Sequence, residues 1–483
     1  MKHHTFNRTI GLTNAIILMM GNMIGIGIFV YPSLISSLLP HSIWFLLFWL
    51  FGGIIAISGA LSSAELASVY PELGGDYAYL RNSYGRRWAF LYGFFTFFIT
   101  FPGSIALGLS LSVHYQGAII LGDWVNTVCY SLPIFGFELH YYQVIAITLL
   151  LILTIVNHFG IESSIRFQKL VTFLPVVFLV GVGLLTITSI LYYLFFGSGT
   201  KLLLADNMSK PFTLPDLLPS GTALVAIYWT YAGWNSPLAM GEEIKNPEKV
   251  IPRTMIFGPL VVMFIYLLLA FIFVALLPFE SIQTGKDPFF IVGQYFLKNL
   301  LQLDSPVFIE WIPRIMTYII FFIILGNTNS TIITGSRIQV AMSRDRLFIE
   351  KLGHLDPKTN TPVLGIWMQS MWALCMILFV SKESNLLNFS FICIIALSIL
   401  TIYSVFRVKK HHNKPHLIPY LSYPLAPIVY IATTSLILVL ILGNYFREGN
   451  YMIPFFAFLS ALAGFILYEI WKKFKITADE HHR

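Results

Sequence analysis

Apolar runs of about twenty residues recur from one end of this 483-residue chain to the other, each long enough to cross a bilayer as a helix. The runs are continuous rather than alternating, and lipid leaves backbone N–H and C=O groups no partner, so internally bonded helices are the unit they must build. Twelve such segments are expected, near 9–37, 42–69, 88–118, 141–159, 170–196, 218–242, 252–278, 309–337, 362–381, 385–406, 424–443 and 451–472. Composition points the same way, with 57% hydrophobic and only 11% charged residues, where soluble domains carry about a quarter charged. The expected fold class is an all-α integral membrane protein of twelve transmembrane helices. It forms a single polytopic domain over 1–473, followed by a short cytoplasmic tail at 474–483.

Charge placement tests that reading independently. With the N-terminus cytoplasmic, about 23 Lys and Arg residues fall in inside loops and about 7, from Lys201 to Arg447, fall outside. This asymmetry obeys the positive-inside rule, and one miscounted span would have mixed the two groups. An even number of spans puts both termini in the cytoplasm, with the protein in the cell (inner or plasma) membrane. The net charge of +7 therefore reports topology and not a nucleic-acid partner. Cys129, Cys375 and Cys393 form neither a CxxC nor a paired framework, so no metal site, redox role or cofactor is expected. The first apolar run is too long and too rich in glycine for a cleaved signal segment and reads as the first span.

Two of the segments are interrupted at membrane depth. Gly21-Asn-Met-Ile-Gly-Ile-Gly-Ile-Phe29 places three glycines and an asparagine where a plain spanning helix carries Leu or Val. Thr230 to Pro237 mixes Gly, Asn, Ser and Pro with aromatics in the sixth segment, and Pro237 cannot donate to the preceding turn. Backbone that leaves a helix at this depth must be buried in protein or line a wet cavity. The breaks lie five segments apart, the pattern of an inverted-repeat transporter with its site at the midplane. The first repeat covers about 9–196, the second about 218–406, and two extra helices about 424–472.

Such a site suits a zwitterion. The N–H groups of Ile26, Gly27 and Ile28 open the second half of the first span, a positive dipole end that takes a carboxylate. The last carbonyls before the second break, around Ile227 to Ala232, take an ammonium. Charge-assisted hydrogen bonds of about 1.5–3 kcal/mol each offset the desolvation of an α-amino acid without any charged side chain. Glycine also serves close helix packing, so either break alone is weak support, and the two at matched positions are stronger.

Several other residues are singled out. Glu65, in the second span, is a candidate proton carrier, against a structural hydrogen-bonding role. Glu242 and Glu243 read as capping and pairing groups of the basic inside loop, with Pro252 opening the seventh span. The loop from Glu280 to Asp304 has room for a surface helix, and Ser343 to Pro362 for a short helix and turn. His411, His412 and His416 sit among lysines and read as a solvated basic loop.

The two breaks, together with Gly74-Gly-Asp-Tyr-Ala-Tyr79, Tyr231-Ala-Gly-Trp-Asn235, Glu242-Glu-Ile-Lys-Asn-Pro-Glu-Lys-Val-Ile-Pro-Arg253, Gly335-Ser-Arg337, Ser343-Arg-Asp-Arg-Leu347 and Thr361-Pro362, resemble the amino acid–polyamine–organocation (APC) superfamily. The L-type amino acid transporter family is its most similar branch. The resemblance implies a LeuT-like five-plus-five inverted repeat with discontinuous helices 1 and 6, working by alternating access. It implies substrate contacts from Met23, Ile24, Gly25, Ile26 and Gly27 in the first break. In the second they come from Trp229 as an aromatic gate, with Thr230, Tyr231, Ala232, Gly233 and Asn235.

Three departures stand out. Ile26 replaces the family's small Ser or Ala, Trp229 replaces its usual Phe, and Pro175 falls about where many members carry a mid-span lysine. Cys129 lies in the loop where eukaryotic members bond a heavy-chain glycoprotein, a partner not expected here. The expected function is exchange of neutral α-amino acids across the bilayer. The alternatives are proton- or sodium-coupled symport, exchange of cationic amino acids or amines, and a non-transporting amino acid receptor. No nucleophile–base pair or phosphate loop supports an enzyme.

Overall fold

The computed structural model describes residues 5–132, 137–196, 203–284, 291–292, 306–379, 385–411 and 417–481. In chain order its main helices are α1 (Leu12–Met23), α2 (Gly27–Ser37), α3 (Ser42–Val69), the short α4 (Asp76–Tyr84), and α5 (Arg86–Leu121). They continue as α6 (Tyr141–His158), α7 (Ile161–Phe196), α8 (Leu217–Thr230), α9 (Ser236–Ala239) and α10 (Pro247–Leu276). The last five are α11 (Pro306–Arg344), α12 (Val363–Phe379), α13 (Asn385–His411), α14 (Leu425–Arg447) and α15 (Met452–His481). Among the described residues nine helices are long and apolar enough to cross a membrane, and α1 with α2 makes a tenth, bent by 45°. The shorter apolar helices α8 and α12 fall on the expected sixth and ninth segments. Each of the twelve expected segments coincides with a helix or a helix pair.

Three helices differ from expectation at one end. Helix α7 begins at Ile161 rather than 170, and α11 runs past Arg337 to Arg344 because Arg337 is a buried helical residue, 1% exposed, and not a loop cation. Helix α10 begins at Pro247 rather than near Pro252. Pro247 occupies the first helical position, where its missing N–H is an orphan anyway, and Pro252 and Pro259 lie inside the helix. Between α5 and α6 an antiparallel pair of strands joins Val128–Leu132 to Phe137–His140 and carries the unpaired Cys129. The helix Phe279–Thr284 and the 3-10 turn Glu350–Gly353 lie in the loops where short helices are expected; the loop from 285 to 304 lies almost wholly outside the described residues, as do His412 and His416.

Small residues let the core helices approach. A Cβ on Gly52 of α3 would stand 2.2 Å from Ile227 and one on Gly53 2.2 Å from Met263, so α3 lies hard against α8 and α10. The outer surface is apolar where water would not tolerate it. On α7, Leu170, Phe173, Leu174, Val177 and Leu184 are all more than half exposed at helical spacing, a stripe that lipid covers.

Candidate functional site

Both breaks are present, and they face each other. Helix α1 stops at Met23, Ile24 is extended, and α2 starts at Gly27. Among the described residues the N–H groups of Gly25, Ile26, Gly27 and Ile28 find no acceptor, since the first bonds of α2 run from Phe29 and Val30 back to the Ile26 carbonyl. Those of Ile26, Gly27 and Ile28 are the orphan donors of a helix N-terminus. Helix α8 ends at Thr230, residues 231–235 form turns, and α9 resumes at Ser236. Gly233 sits at φ 101°, where a side chain is strained, and its Cβ would meet the Asn22 carbonyl oxygen at 2.7 Å. A Cβ on Gly27 would stand 2.8 Å from Thr230 Oγ1. The C-terminal ends of α1 and α8 therefore lie together, opposite the N-terminal end of α2.

Side chains from other helices hold this geometry. The Tyr266 hydroxyl of α10 reaches both break carbonyls, Met23 O at 2.9 Å and Thr230 O at 3.2 Å. Asn327 of α11 donates to Asn22 O at 2.7 Å, and Thr331 donates to Asn22 Oδ1 at 3.0 Å. Behind α1 lies a lattice of neutral groups. Asn157 donates to Asn329 (2.8 Å), Asn329 to Gln168 (2.7 Å), and Gln168 to Thr172 (2.7 Å). A Cβ on Gly21 would lie 1.9 Å from Gln168 Nε2 and 3.2 Å from Thr172 Oγ1, so these two α7 residues stand against the start of the first break. With its amides and hydroxyls paired, the lattice fixes α1 without burying a charge.

A cavity of about 960 Å³ opens on the breaks. Met23, Gly25, Ile26, Gly27, Trp229, Thr230, Tyr231, Ala232, Gly233 and Asn235 all line it, while Ile24 does not and is buried in the core. The lining residues play different parts. Trp229 stands edge-on to Phe391 with ring centres 5.2 Å apart. Tyr231 packs against Tyr266, and its hydroxyl donates to Trp49 O at 2.9 Å, which makes it a brace of the turn. Thr230 Oγ1 donates back to Ala226 O at 2.7 Å. Asn235 donates to Asp76 Oδ2 at 2.6 Å, and Tyr92 donates to the same oxygen at 3.3 Å. Burial pushes the Asp76 carboxyl up to about 6, against the downward pull of the Asn235 and Tyr92 hydrogen bonds. Thr96 and Thr100 also line the cavity, in a π-helical turn of α5, the kind of bulge that re-aims side chains at functional sites.

The cavity reaches exposed residues at only one end of the bundle among the described residues: Leu34 of α2, Arg447 of α14 and Glu448. The opposite end, which carries the N-terminal segment, is tied shut. Thr9 and Ile10 donate to the Glu243 carbonyl, Lys245 returns a bond to Ile10, and Leu73 bridges Met240. Glu243 and Arg337, each 1% exposed, form a two-point pair at 2.8 and 3.1 Å, and Arg344 grips Glu242 at 2.8 Å. Glu242 and Glu243 thus pair with α11 rather than within their own loop. Arg81 joins Asp345 at 2.7 Å and Glu72. Glu65 is buried against Lys409 at 2.5 Å and accepts from Leu417 N and Ser422, the structural role of the two considered. No cluster of His, Cys, Asp or Glu fit to hold a metal ion occurs among the described residues.

A sequence model of the amino acid permease family matches residues 10–467. The serine/threonine exchanger SteT of Bacillus subtilis is 29% identical over 480 residues, covering 97% of this chain and 98% of its own. The b(0,+)-type amino acid transporter 1 of Mus musculus is 24% identical, over 98% of this chain and 90% of its own. The large neutral amino acids transporter small subunit 2 of Mus musculus is 26% identical, over 79% of this chain and 66% of its own.

Proposed function

The chain belongs to the amino acid permease family, and from that membership we propose that it carries neutral α-amino acids across the membrane by alternating access, in exchange for one another. It is a transporter and not an enzyme, as its relatives are. The observation that carries the reading is the pairing of the two breaks. Unpartnered N–H groups at the start of α2 face the terminal carbonyls of α1 and α8 across one cavity, with Tyr266 holding Met23 and Thr230 in register. An α-carboxylate on the first set and an α-ammonium on the second use the opposite dipole ends of broken helices. Uncharged hydrogen-bonding groups complete the first break, which favours a substrate whose charges cancel.

In this proposal twelve spans form a five-plus-five inverted repeat, and both termini are cytoplasmic. The conformation described is then closed to the cytoplasm and open outward. Neutral side chains of modest size suit a pocket in which Ile26 and Trp229 project near the α-groups. Serine and threonine, which the relative's name assigns to that protein, are the first substrates to try. The supporting experiment uses proteoliposomes preloaded with unlabelled amino acid and assayed for entry of labelled serine, threonine, alanine or leucine. Entry that requires a matching internal amino acid is expected. Uptake into empty vesicles driven by a proton or sodium gradient would replace exchange with symport.

A further inference from the structure

Asp76 is an acidic side chain in the wall of the cavity beside the second break, and neither the sequence motifs nor the proposed substrate contacts give it a role. It is the first residue of α4, 6% exposed, between α3 and α5 at the closed end of the bundle. One oxygen is held by Asn235 and Tyr92, and the other, Oδ1, is buried with no hydrogen-bond partner among the described residues. A carboxylate with one oxygen buried and unpartnered is costly, and a proton on it removes the charge. We propose that Asp76 is a proton-binding site whose occupancy sets the balance between this conformation, joined at its N-terminal end, and one opened at that end. The inference rests on reading the chain as an alternating-access transporter.

The groups that face Asp76 are neutral: Tyr79 on its own helix, Tyr92 of α5, Tyr228 of α8, and Tyr430 of α14. Charges on the neighbouring elements are engaged elsewhere. Arg81 is spent on Glu72 and Asp345, Arg86 on the Asp345 carbonyl, Arg87 on Glu469, and Lys409 on Glu65, while Arg407 lies over the Tyr84 ring. Helix α9 carries no titratable side chain. The positive end of α4 favours the charged carboxyl in any conformation and so does not discriminate between the two.

Opening the N-terminal end separates α4 from the turn at Asn235 and lets water reach the carboxyl, returning it toward its ordinary 3.8 from about 6. Below about pH 4 both conformations are protonated and the group has no bias. As pH climbs from about 4 to about 6 the opened form loses its proton first and is increasingly favoured, and above that window the bias is complete. A difference of about two pH units corresponds to about a hundredfold change in the ratio of the two forms.

Hydrogen–deuterium exchange of the purified protein between pH 4.5 and 7.5, corrected for the intrinsic pH dependence of amide exchange, reads this directly. Protection of the stretches Leu73–Tyr84 and Ser236–Glu243 is expected to fall with rising pH in the wild type and to stay flat in Asp76→Asn. Tyr92→Phe removes a bond that lowers the pKa, so its midpoint should move upward. A flat wild type, identical profiles in wild type and Asp76→Asn, or an unmoved midpoint in Tyr92→Phe overturns the site. The last measurement decides the matter even where Asp76→Asn does not fold. Counterflow of labelled amino acids in parallel separates the two readings: a pH transition in a protein that exchanges no amino acid removes the transport proposal and leaves the proton site standing.

Discussion

Gly27 has no slack on the side where a side chain would grow. The added Cβ would meet Thr230 at Oγ1 (2.8 Å), Cγ2 (3.2 Å) and Cα (3.3 Å), and the last of these is backbone that cannot rotate away. Gly27→Val would therefore push the two breaks apart and cover the free N–H groups at the start of α2. Loss of transport by at least a hundredfold is expected, with the protein still inserted and monodisperse because the change leaves both helices their apolar surface. Uptake assays paired with size-exclusion profiles check this, and near-normal uptake would remove the first break from the mechanism. Gly27 announces itself in the sequence through its place in a glycine-rich run. Tyr266 does not: it is one aromatic in an apolar span, and its tie between Met23 and Thr230 exists only once three helices are assembled. Ile24 shows the converse. It stands within the motif, yet its extended backbone turns the side chain into the core and away from the cavity.

At the scale of elements, the closed end is a joint between α11 and the segment that links α9 to α10. Its centre is Glu243–Arg337, a carboxylate and a guanidinium almost wholly out of water, with two parallel hydrogen bonds and the Phe6 ring 5.6 Å from the guanidinium carbon. Removing one partner strands a buried charge, at a cost of about 3–5 kcal/mol, whereas removing both costs less. Arg337→Met should accordingly lower thermal stability sharply, and Glu243→Gln combined with Arg337→Met should recover part of it. Equal loss in the single and double variants would mean that the pair contributes nothing beyond packing. In the sequence Arg337 closes the expected span 309–337, and Glu243 stands in the loop after the sixth. An arginine at the end of an apolar run marks the polar boundary when no partner is visible, and its acid lies far away in the chain, at Glu243. The same holds for α5, whose π-helical turns at Thr96–Thr100 and Val113–Gly117 leave no mark on hydropathy.

For the molecule as a whole, hydropathy carries most of the architecture, because lipid punishes an unsatisfied backbone more severely than water does. That is why all twelve expected segments meet helices, and why both interruptions in the sequence are also interruptions of helices. Polar contacts between distant segments, such as Gln168 with Asn329 or Asp76 with Asn235, carry no such signal, since their partners are fixed only by packing. Sidedness is a separate expectation, drawn from the placement of the basic residues. They put the strand pair containing Cys129 outside and the turn containing Lys358 inside. Cys129 is half-buried, and Lys358 lies in an exposed turn. In a background with Cys375 and Cys393 replaced by Ser, an impermeant maleimide added to intact cells should label Cys129. With Cys129 also replaced, Lys358→Cys should react only after the cells are opened. The reverse pattern would invert the topology and make the present cavity face the cytoplasm. Labelling of both from outside would mean that an even number of crossings, and not the proposed five, separates Cys129 from Lys358.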